Sequence, residues 1–193
     1  MIPPNLPELL RRRLRPPDDC PRPPEAERPA AVLLALYEEK DAWQLLLIRR
    51  TETVAEHKGQ VAFPGGAVDA TDRTRAETAL REAGEKIGLH PDDVTVLGCL
   101  PPYSTVTGWH ITPVVGAIPH PYSFRVNPRE TESVFAVPLA WLADPENYTE
   151  KPYSNPRDES ERPVVFFRLY AGHVIWGASA HMTLALLTAA DLR

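Results

Sequence analysis

The chain has 193 residues, 43% of them hydrophobic, so it is long enough to bury a core and is expected to form one folded domain. Its 26 acidic and 21 basic side chains give a net charge of −5, which argues against broad electrostatic binding to nucleic acid or to an anionic membrane. Cys20 and Cys99 are too few and too far apart in sequence to indicate a disulfide framework or a zinc site, so two reduced thiols are expected. The sequence shows neither a signal peptide nor an apolar run of membrane-spanning length, and the predicted location is cytoplasmic.

The first thirty residues are rich in proline, which fixes φ and removes a backbone hydrogen-bond donor. Residues 1–29 are therefore predicted to be a Pro-rich N-terminal leader, and residues 30–193 the folded domain. Within the leader, Leu6 to Arg15 is expected to form a short helix with leucines on one side and arginines in solvent.

From Ala30 onward, apolar runs alternate with polar turns. The runs predicted to be strands are Ala31–Tyr37, Trp43–Ile48, Val94–Leu100, His110–Ile118, Val134–Pro138, Val164–Tyr170 and His173–Trp176. The predicted helices are Arg75–Ile87 and Ser179–Ala190, with a short turn of helix at Leu139–Ala143. Strands outnumber helices and the helices lie far apart in sequence, so the predicted fold class is α/β, with a mixed β-sheet covered by α-helices on both faces.

The predicted helix Arg75–Ile87 has clear limits. Thr74 followed by Glu77 is a capping-box pattern, and Gly88 is placed for a left-handed cap at the C-terminal end. Pro91 prevents the helix from continuing. The helix therefore has a defined register, from which the positions of its charged side chains follow.

In that register Glu82, Glu85 and Lys86 share one face, which is expected to be turned away from the core. Two carboxylates three positions apart repel each other unless a cation lies between them, and Mg²⁺ and Mn²⁺ prefer such oxygen ligands. The alternative is a solvated helix face on which Lys86 pairs with Glu82, and Arg81 with Glu77 and Glu85, each pair contributing about 0.2–0.5 kcal/mol.

The segment around this helix resembles the Nudix box, which is usually written G-x5-E-x7-R-E-U-x-E-E-x-G-U with U apolar. The matching positions are Gly66, Asp72, Arg81, Glu82, Ala83, Glu85, Gly88 and Leu89. Two departures are visible: one extra residue stands between Asp72 and Arg81, and Lys86 stands where the box has its last glutamate.

The resemblance implies a Nudix fold, a mixed β-sheet sandwiched between α-helices, and makes residues 30–193 a Nudix hydrolase domain that uses Mg²⁺ or Mn²⁺. In the family the box glutamates hold the metal ions and one takes a proton from water, so Glu82 and Glu85 are expected to have metal-binding and catalytic roles. Arg81 is expected to order the loop and the acidic face by charge-assisted hydrogen bonds. Gly66 is expected to lend a backbone carbonyl to the metal, and Glu130 is either a further site residue or a solvated loop charge.

A second resemblance lies before the box. Leu46–Arg50 together with Gly59–Gly66 looks like the extra motif of the coenzyme A pyrophosphatase subgroup, approximately LLTxR(S/A)x3Rx3Gx3FPGG. Ala55 occupies the place of the second arginine of that motif. The residues expected to bind substrate are Arg49, Arg50, Lys58, Gly65 and Gly66. Because successive strand residues point to opposite faces, only one of the two arginines is expected to face the site.

This second resemblance implies hydrolysis of coenzyme A, or of its thioesters, to 3′,5′-ADP and 4′-phosphopantetheine, with a small-molecule nucleotide as substrate. Two alternatives stay open: a Nudix hydrolase of another nucleoside diphosphate derivative such as ADP-ribose or NADH, and a non-catalytic nucleotide-binding module. Lys86 keeps the last alternative open, because a protonated lysine close to a divalent cation weakens its binding. Exposed strand edges and the Pro-rich leader also make a homodimer an expectation.

Overall fold

A computed structural model describes residues 2–3, 5–20, 27–52, 59–154 and 161–193. Its helices are α1 (Leu6–Arg13), α2 (Arg75–Ile87), α3 (Leu139–Ala143) and α4 (Gly177–Ala189). Its strands are β1 (Arg28–Glu39), β2 (Ala42–Arg50), β3 (Val61–Ala62), β4 (Gly65–Ala67), β5 (Thr95–Cys99), β6 (Tyr103–Ser104), β7 (Trp109–Ala117), β8 (Thr131–Pro138), β9 (Tyr148–Ser154) and β10 (Glu161–Phe167). Short 3₁₀ helices cover Pro17–Asp19, Pro91–Asp93 and Pro145–Asn147.

A mixed sheet runs through the centre of the molecule. Its central strand is β1, which pairs in parallel with β7 along one edge. Along the other edge β1 pairs antiparallel with β2 near their turn and with β4 near its own start. Strands β5 and β6 pair with β7, and β8 pairs with β2. The predicted strands Ala31–Tyr37 and Trp43–Ile48 are confirmed as parts of β1 and β2, which form a hairpin.

The sheet opens between β1 and β2, and the segment from β3 to β4 enters there. β3 pairs with β2, while β4 pairs with β1. At the crossing point the backbone N–H of Leu33 donates to the Pro64 carbonyl at 2.8 Å. This insertion holds Gly65 and Gly66 in the middle of the sheet, beneath α2.

Side chains alternate along β1 and so supply two separate cores. Ala31 and Leu33 pack with the apolar face of α2 on one side of the sheet. Leu34 and Leu36 pack on the other side with buried residues of α1, α3 and α4. The mixed sheet sandwiched between helices, predicted from the sequence, is therefore confirmed.

The limits of α2 follow from its capping residues. The Thr74 hydroxyl accepts a hydrogen bond from the Glu77 backbone N–H at 3.1 Å, and Gly88 ends the helix at φ 68°. A left-handed conformation at this position favours glycine, because a Cβ atom would be strained there. The predicted bounds of α2 and α3 are both confirmed, and α4 begins two residues earlier than predicted.

Near the C-terminus one predicted strand did not form, and another was predicted to end too late. Residues 173–176, predicted as a strand, make only isolated bridges, and β10 ends at Phe167 rather than at Tyr170. The strand β9 was missed because its sequence, from Thr149 to Pro152, is polar and contains a proline, and among the described strands it pairs with β10 alone.

The N-terminal segment contributes to the core. Leu6 and Leu10 on α1 are fully buried, and Arg15 exchanges backbone hydrogen bonds with Cys99 on β5. Cys20 and Cys99 form a disulfide with their Cα atoms 6.0 Å apart. The prediction of two reduced thiols was therefore wrong, because separation in sequence does not measure separation in the fold. The division into a leader and a domain stays a prediction.

None of the helices in the described ranges is long and apolar enough to cross a membrane. The cytoplasmic location and the homodimer expected from the sequence stay predictions.

Candidate active site

Arg81 on α2 ties the loop after β4 to the helix. Its Nε lies 3.1 Å from Asp72 Oδ1 and its Nη2 lies 3.0 Å from Asp72 Oδ2, the paired bonds that a planar guanidinium makes with a carboxylate. The same Nη2 donates to the Ala67 carbonyl at 3.0 Å. These hydrogen bonds from Arg81 lower the pKa of Asp72 to about 2. The loop is thus fixed to the helix by a charged pair that is largely shielded from water.

The same arginine also brings the helix carboxylates together. Its Nη1 lies 3.0 Å from Glu82 Oε1 and 3.0 Å from Glu85 Oε1. Asp72, Glu82 and Glu85 therefore converge on one guanidinium, which offsets the repulsion between them. These contacts are the ones expected of Arg81 from the sequence.

Gly66 on β4 lies directly against the carboxylate of Glu82. A Cβ atom built on Gly66 would stand 2.2 Å from Glu82 Oε2, and one on Gly65 would stand 2.4 Å from the Ala31 carbonyl oxygen. Neither glycine has a positive φ. Their role is therefore to permit close approach rather than an unusual backbone conformation.

Lys86 is buried between two carboxylates. Its Nζ lies 3.2 Å from Glu82 Oε2 and 2.5 Å from Glu130 Oε2. Lys86 is 6% exposed and Glu82 is 8% exposed. The lysine thus pairs with Glu82, four positions away, as the solvated-face alternative predicted, but the pair is covered.

The cover is the loop that leads into β8. Arg125 donates its backbone N–H to the Ile87 carbonyl, and Asn127 donates to the Lys86 carbonyl, both at 2.8 Å. The face of α2 that was expected to be turned away from the core is covered at Glu82 and Lys86 and open at Glu85, whose side chain is 54% exposed.

Glu130 belongs to the same cluster. Its backbone carbonyl accepts from the Thr51 N–H at 3.1 Å, which fixes the loop against the end of β2. The hydrogen bond from Lys86, together with the charges of Lys86 and Arg50, lowers the pKa of the Glu130 carboxyl. The structure therefore places Glu130 beside Glu82, although whether Glu130 acts in the reaction stays a prediction.

The two arginines at the end of β2 have different surroundings. Arg49 lies 3.2 Å from Glu132 and lines an open cleft of about 220 Å³. The charge of Arg50 instead helps to lower the pKa of Glu130. The Arg50 Nε is buried without a hydrogen-bond partner among the described residues. Lys58, the third expected cationic contact, lies outside the described residues.

The cleft beside Arg49 contains residues that the sequence did not single out for function. His173 and Trp176 line it, and the His173 ring stacks on Phe135 with centroids 3.9 Å apart. A single histidine and a single tryptophan form no motif that indicates a binding site. They come close to Gly59 and Val61 through the turn that follows β10.

The residues of this cluster do not fit a divalent ion between Glu82 and Glu130, because Lys86 Nζ already stands there. Both Glu82 oxygens accept from cations, one from Arg81 and one from Lys86. Across the described ranges, no group of three or more His, Cys, Asp and Glu side chains is arranged to hold a metal ion. A metal-ligand role for Glu85 or for the Gly66 carbonyl stays a prediction.

A family model described as the NUDIX domain matches residues 27–152. The chain is 41% identical over 159 residues to a protein of Pectobacterium atrosepticum named uncharacterized Nudix hydrolase NudL, which covers 82% of this chain and 81% of the relative. A protein of the same name from Photorhabdus laumondii is 39% identical over 164 residues, covering 83% of this chain and 86% of the relative. The residues matched by the family model include both the box and the segment before it.

Among solved structures, the Nudix hydrolase RenU of M. smegmatis is similar with a TM-score of 0.52 and 28% identity, covering 61% of this chain and 74% of that chain. An Ap4A hydrolase of C. elegans has the same fold with a TM-score of 0.50 at 16% identity, covering 57% and 80%.

Proposed function

The chain belongs to the Nudix hydrolase family, and from that premise we propose that it hydrolyses the pyrophosphate of coenzyme A to 3′,5′-ADP and 4′-phosphopantetheine, or that of an acyl-CoA to 3′,5′-ADP and the S-acyl form of 4′-phosphopantetheine. Two segments support this substrate: Leu46–Arg50 and Gly59–Gly66, which resemble the extra motif of the coenzyme A pyrophosphatases. The proposal depends on these segments lying next to the box carboxylates.

The observation that carries the proposal is the continuity between the two motifs. The Arg50 N–H donates to the Gln60 carbonyl at 3.0 Å, so the two parts of the extra motif are paired backbone to backbone. Four residues beyond β3, Gly66 lies against Glu82. The chain that contains the extra motif therefore continues directly into the strand that contacts the box carboxylate Glu82.

In this proposal Glu85 accepts the proton from the attacking water. Glu85 is half exposed and has one oxygen held by Arg81, whereas both oxygens of Glu82 are engaged and the side chain is covered. The water oxygen forms a bond to one phosphorus, the bridging P–O bond breaks, and the second phosphate leaves with the bridging oxygen. General-base catalysis of this kind contributes about 10²–10⁴-fold.

The remaining residues position these groups. Arg81 fixes the orientation of Glu85 through a charge-assisted hydrogen bond, and Arg49 offers a cation to the phosphates at the cleft. Glu82 and Glu130 are held together by Lys86 and shape the floor of the site. The cofactors Mg²⁺ and Mn²⁺ stay predictions from the family resemblance.

Two other functions compete with this one. Hydrolysis of ADP-ribose or NADH would use the same box, and only the extra motif favours coenzyme A over them. A non-catalytic nucleotide-binding module is favoured by one observation, that Lys86 occupies the space between Glu82 and Glu130.

The experiment incubates the purified chain with coenzyme A, acetyl-CoA, ADP-ribose and NADH in parallel, with Mg²⁺, with Mn²⁺ and with a chelator. Products are separated by anion-exchange chromatography. We expect 3′,5′-ADP from both coenzyme A compounds and none from a Glu85→Gln variant. Faster cleavage of ADP-ribose or NADH would reject the substrate, and binding of coenzyme A without any product would indicate the non-catalytic module.

A further inference from the structure

Lys86 lies between Glu82 and Glu130, where a cation offsets the repulsion of the two carboxylates. We propose that its ammonium is a resident cation of the cluster, occupying the position between Glu82 and Glu130 that a divalent ion would otherwise take. The chain then assembles this part of its site without a metal ion and binds one divalent ion fewer than a chain with glutamate at position 86.

The contacts of Lys86 are the first support for this proposal. Lys86 Nζ reaches Glu82 Oε2 at 3.2 Å and Glu130 Oε2 at 2.5 Å, so one ammonium bridges two carboxylates that are 48 residues apart in the chain. On its other oxygen Glu82 accepts from Arg81 at 3.0 Å. Each oxygen of Glu82 thereby faces a cationic group, and the charges of Arg81 and Lys86 repel a further cation brought to either oxygen.

The loop that covers Lys86 is the second support for this proposal. The side chain of Lys86 is 7% exposed, and the Asn127 N–H binds the Lys86 carbonyl at 2.8 Å. To admit a divalent ion between Glu82 and Glu130, the ammonium would have to leave a covered position and lose both partners. The ammonium and the ion therefore exclude each other at this place.

The net charge of the cluster is the third support for this proposal. Asp72, Glu82, Glu85 and Glu130 give four negative charges, and Arg81 and Lys86 give two positive charges, which leaves −2. Glutamate at position 86 would leave one cation against five carboxylates, which is −4. The difference between −2 and −4 equals the charge of one divalent cation. With glutamate at position 86, the cluster therefore needs one more such ion to reach the same net charge.

The test compares divalent-ion binding in metal-free wild type, Lys86→Glu and Lys86→Gln, with Lys151→Glu as a control. Lys151 is exposed on β9, so its replacement makes the same change in net charge away from the cluster. Bound Mn²⁺ is counted from the electron paramagnetic resonance signal of the free ion, and unfolding temperatures are recorded with chelator and with Mn²⁺. No substrate is present, so the outcome does not depend on which pyrophosphate the chain cleaves.

We expect Lys86→Glu to bind one Mn²⁺ more per chain than wild type and to be stabilised by Mn²⁺ against heat far more than wild type. Lys86→Gln should bind Mn²⁺ at least tenfold more tightly than wild type, because it removes the competing ammonium and keeps both carboxylates. Lys151→Glu should match wild type. Equal numbers of bound Mn²⁺ with equal affinity in wild type and Lys86→Glu would overturn the proposal, and so would Lys86→Gln binding no tighter than wild type.

If Lys86→Glu unfolds in chelator and refolds with Mn²⁺, the result supports the proposal, since a metal ion then does what the ammonium did. If it stays unfolded in Mn²⁺, the decision passes to Lys86→Gln, whose neutral side chain is close in length to lysine.

Discussion

Gly66 and Glu82 fit each other so closely that a methyl group on the glycine would stand 2.2 Å from a carboxylate oxygen. Glu82 cannot move aside without breaking its contacts with Arg81 and Lys86. Strand β4 and helix α2 can therefore approach this closely only because position 66 has no side chain.

Gly66→Ala is expected to displace the Glu82 carboxylate and lower kcat/KM by about 100-fold, because a shift of about 1 Å in a positioned group has that effect. Steady-state hydrolysis of coenzyme A measures it. Gly84→Ala is the matched control. Gly84 lies on α2, the helix that carries Glu82, and its Cβ would make an ordinary contact, 3.4 Å from the Leu89 carbonyl oxygen. That variant should keep its activity and gain about 0.5–1 kcal/mol of stability. Full activity in Gly66→Ala would contradict the close fit.

The Asp72–Arg81 pair makes stability depend on pH in the acid range. Hydrogen bonds from Arg81 lower the Asp72 pKa from 3.8 to about 2 in the folded protein. The stabilisation is complete above the unfolded value, near pH 4, and is lost as pH falls through about 2. Its size is about 2 kcal/mol, at about 1.4 kcal/mol for each pKa unit.

The measurement is urea unfolding of wild type and Asp72→Asn between pH 6 and pH 2. The difference in unfolding free energy should be largest at pH 6 and shrink toward pH 2, because asparagine has no charge to lose. A difference that does not change with pH would show that Asp72 does not stabilise the fold through its charge.

Leu10 tests whether the N-terminal segment belongs to the folded unit. It is fully buried against the α4 side of the sheet, so Leu10→Ala should cost about 2–5 kcal/mol of unfolding free energy. Glu8→Ala, on the exposed face of the same helix, should change stability by less than about 0.5 kcal/mol. Urea denaturation of both variants measures this, and equal stabilities would mean that α1 is not docked on the core in solution.

Arg49 is expected to bind substrate phosphate without taking part in bond breaking. Arg49→Ala should therefore raise KM for coenzyme A about tenfold and leave kcat within about threefold, since a lost hydrogen bond to a charged group costs about 1.5–3 kcal/mol. Arg11→Ala, exposed on α1, is the control and should change neither constant. A fall in kcat with KM unchanged would instead place Arg49 in the chemical step.

The sequence predicted α2 well because its signals are local. Thr74 and Gly88 cap it by contacts within a few residues, and Arg81 meets the box carboxylates within one helical turn and one loop. The burial of Lys86 could not be predicted in the same way, because the loop that covers it lies about 40 residues further along the chain. The docking of α1 depends likewise on β5, far away in sequence.

Coenzyme A as the substrate is tested by the ratio of kcat/KM for coenzyme A to kcat/KM for ADP-ribose, measured on one preparation. We predict a ratio well above one, with 3′,5′-ADP as the nucleotide product and loss of both reactions in Glu85→Gln. A ratio at or below one, with Glu85→Gln still inactive, would keep the hydrolytic site and contradict coenzyme A as its substrate.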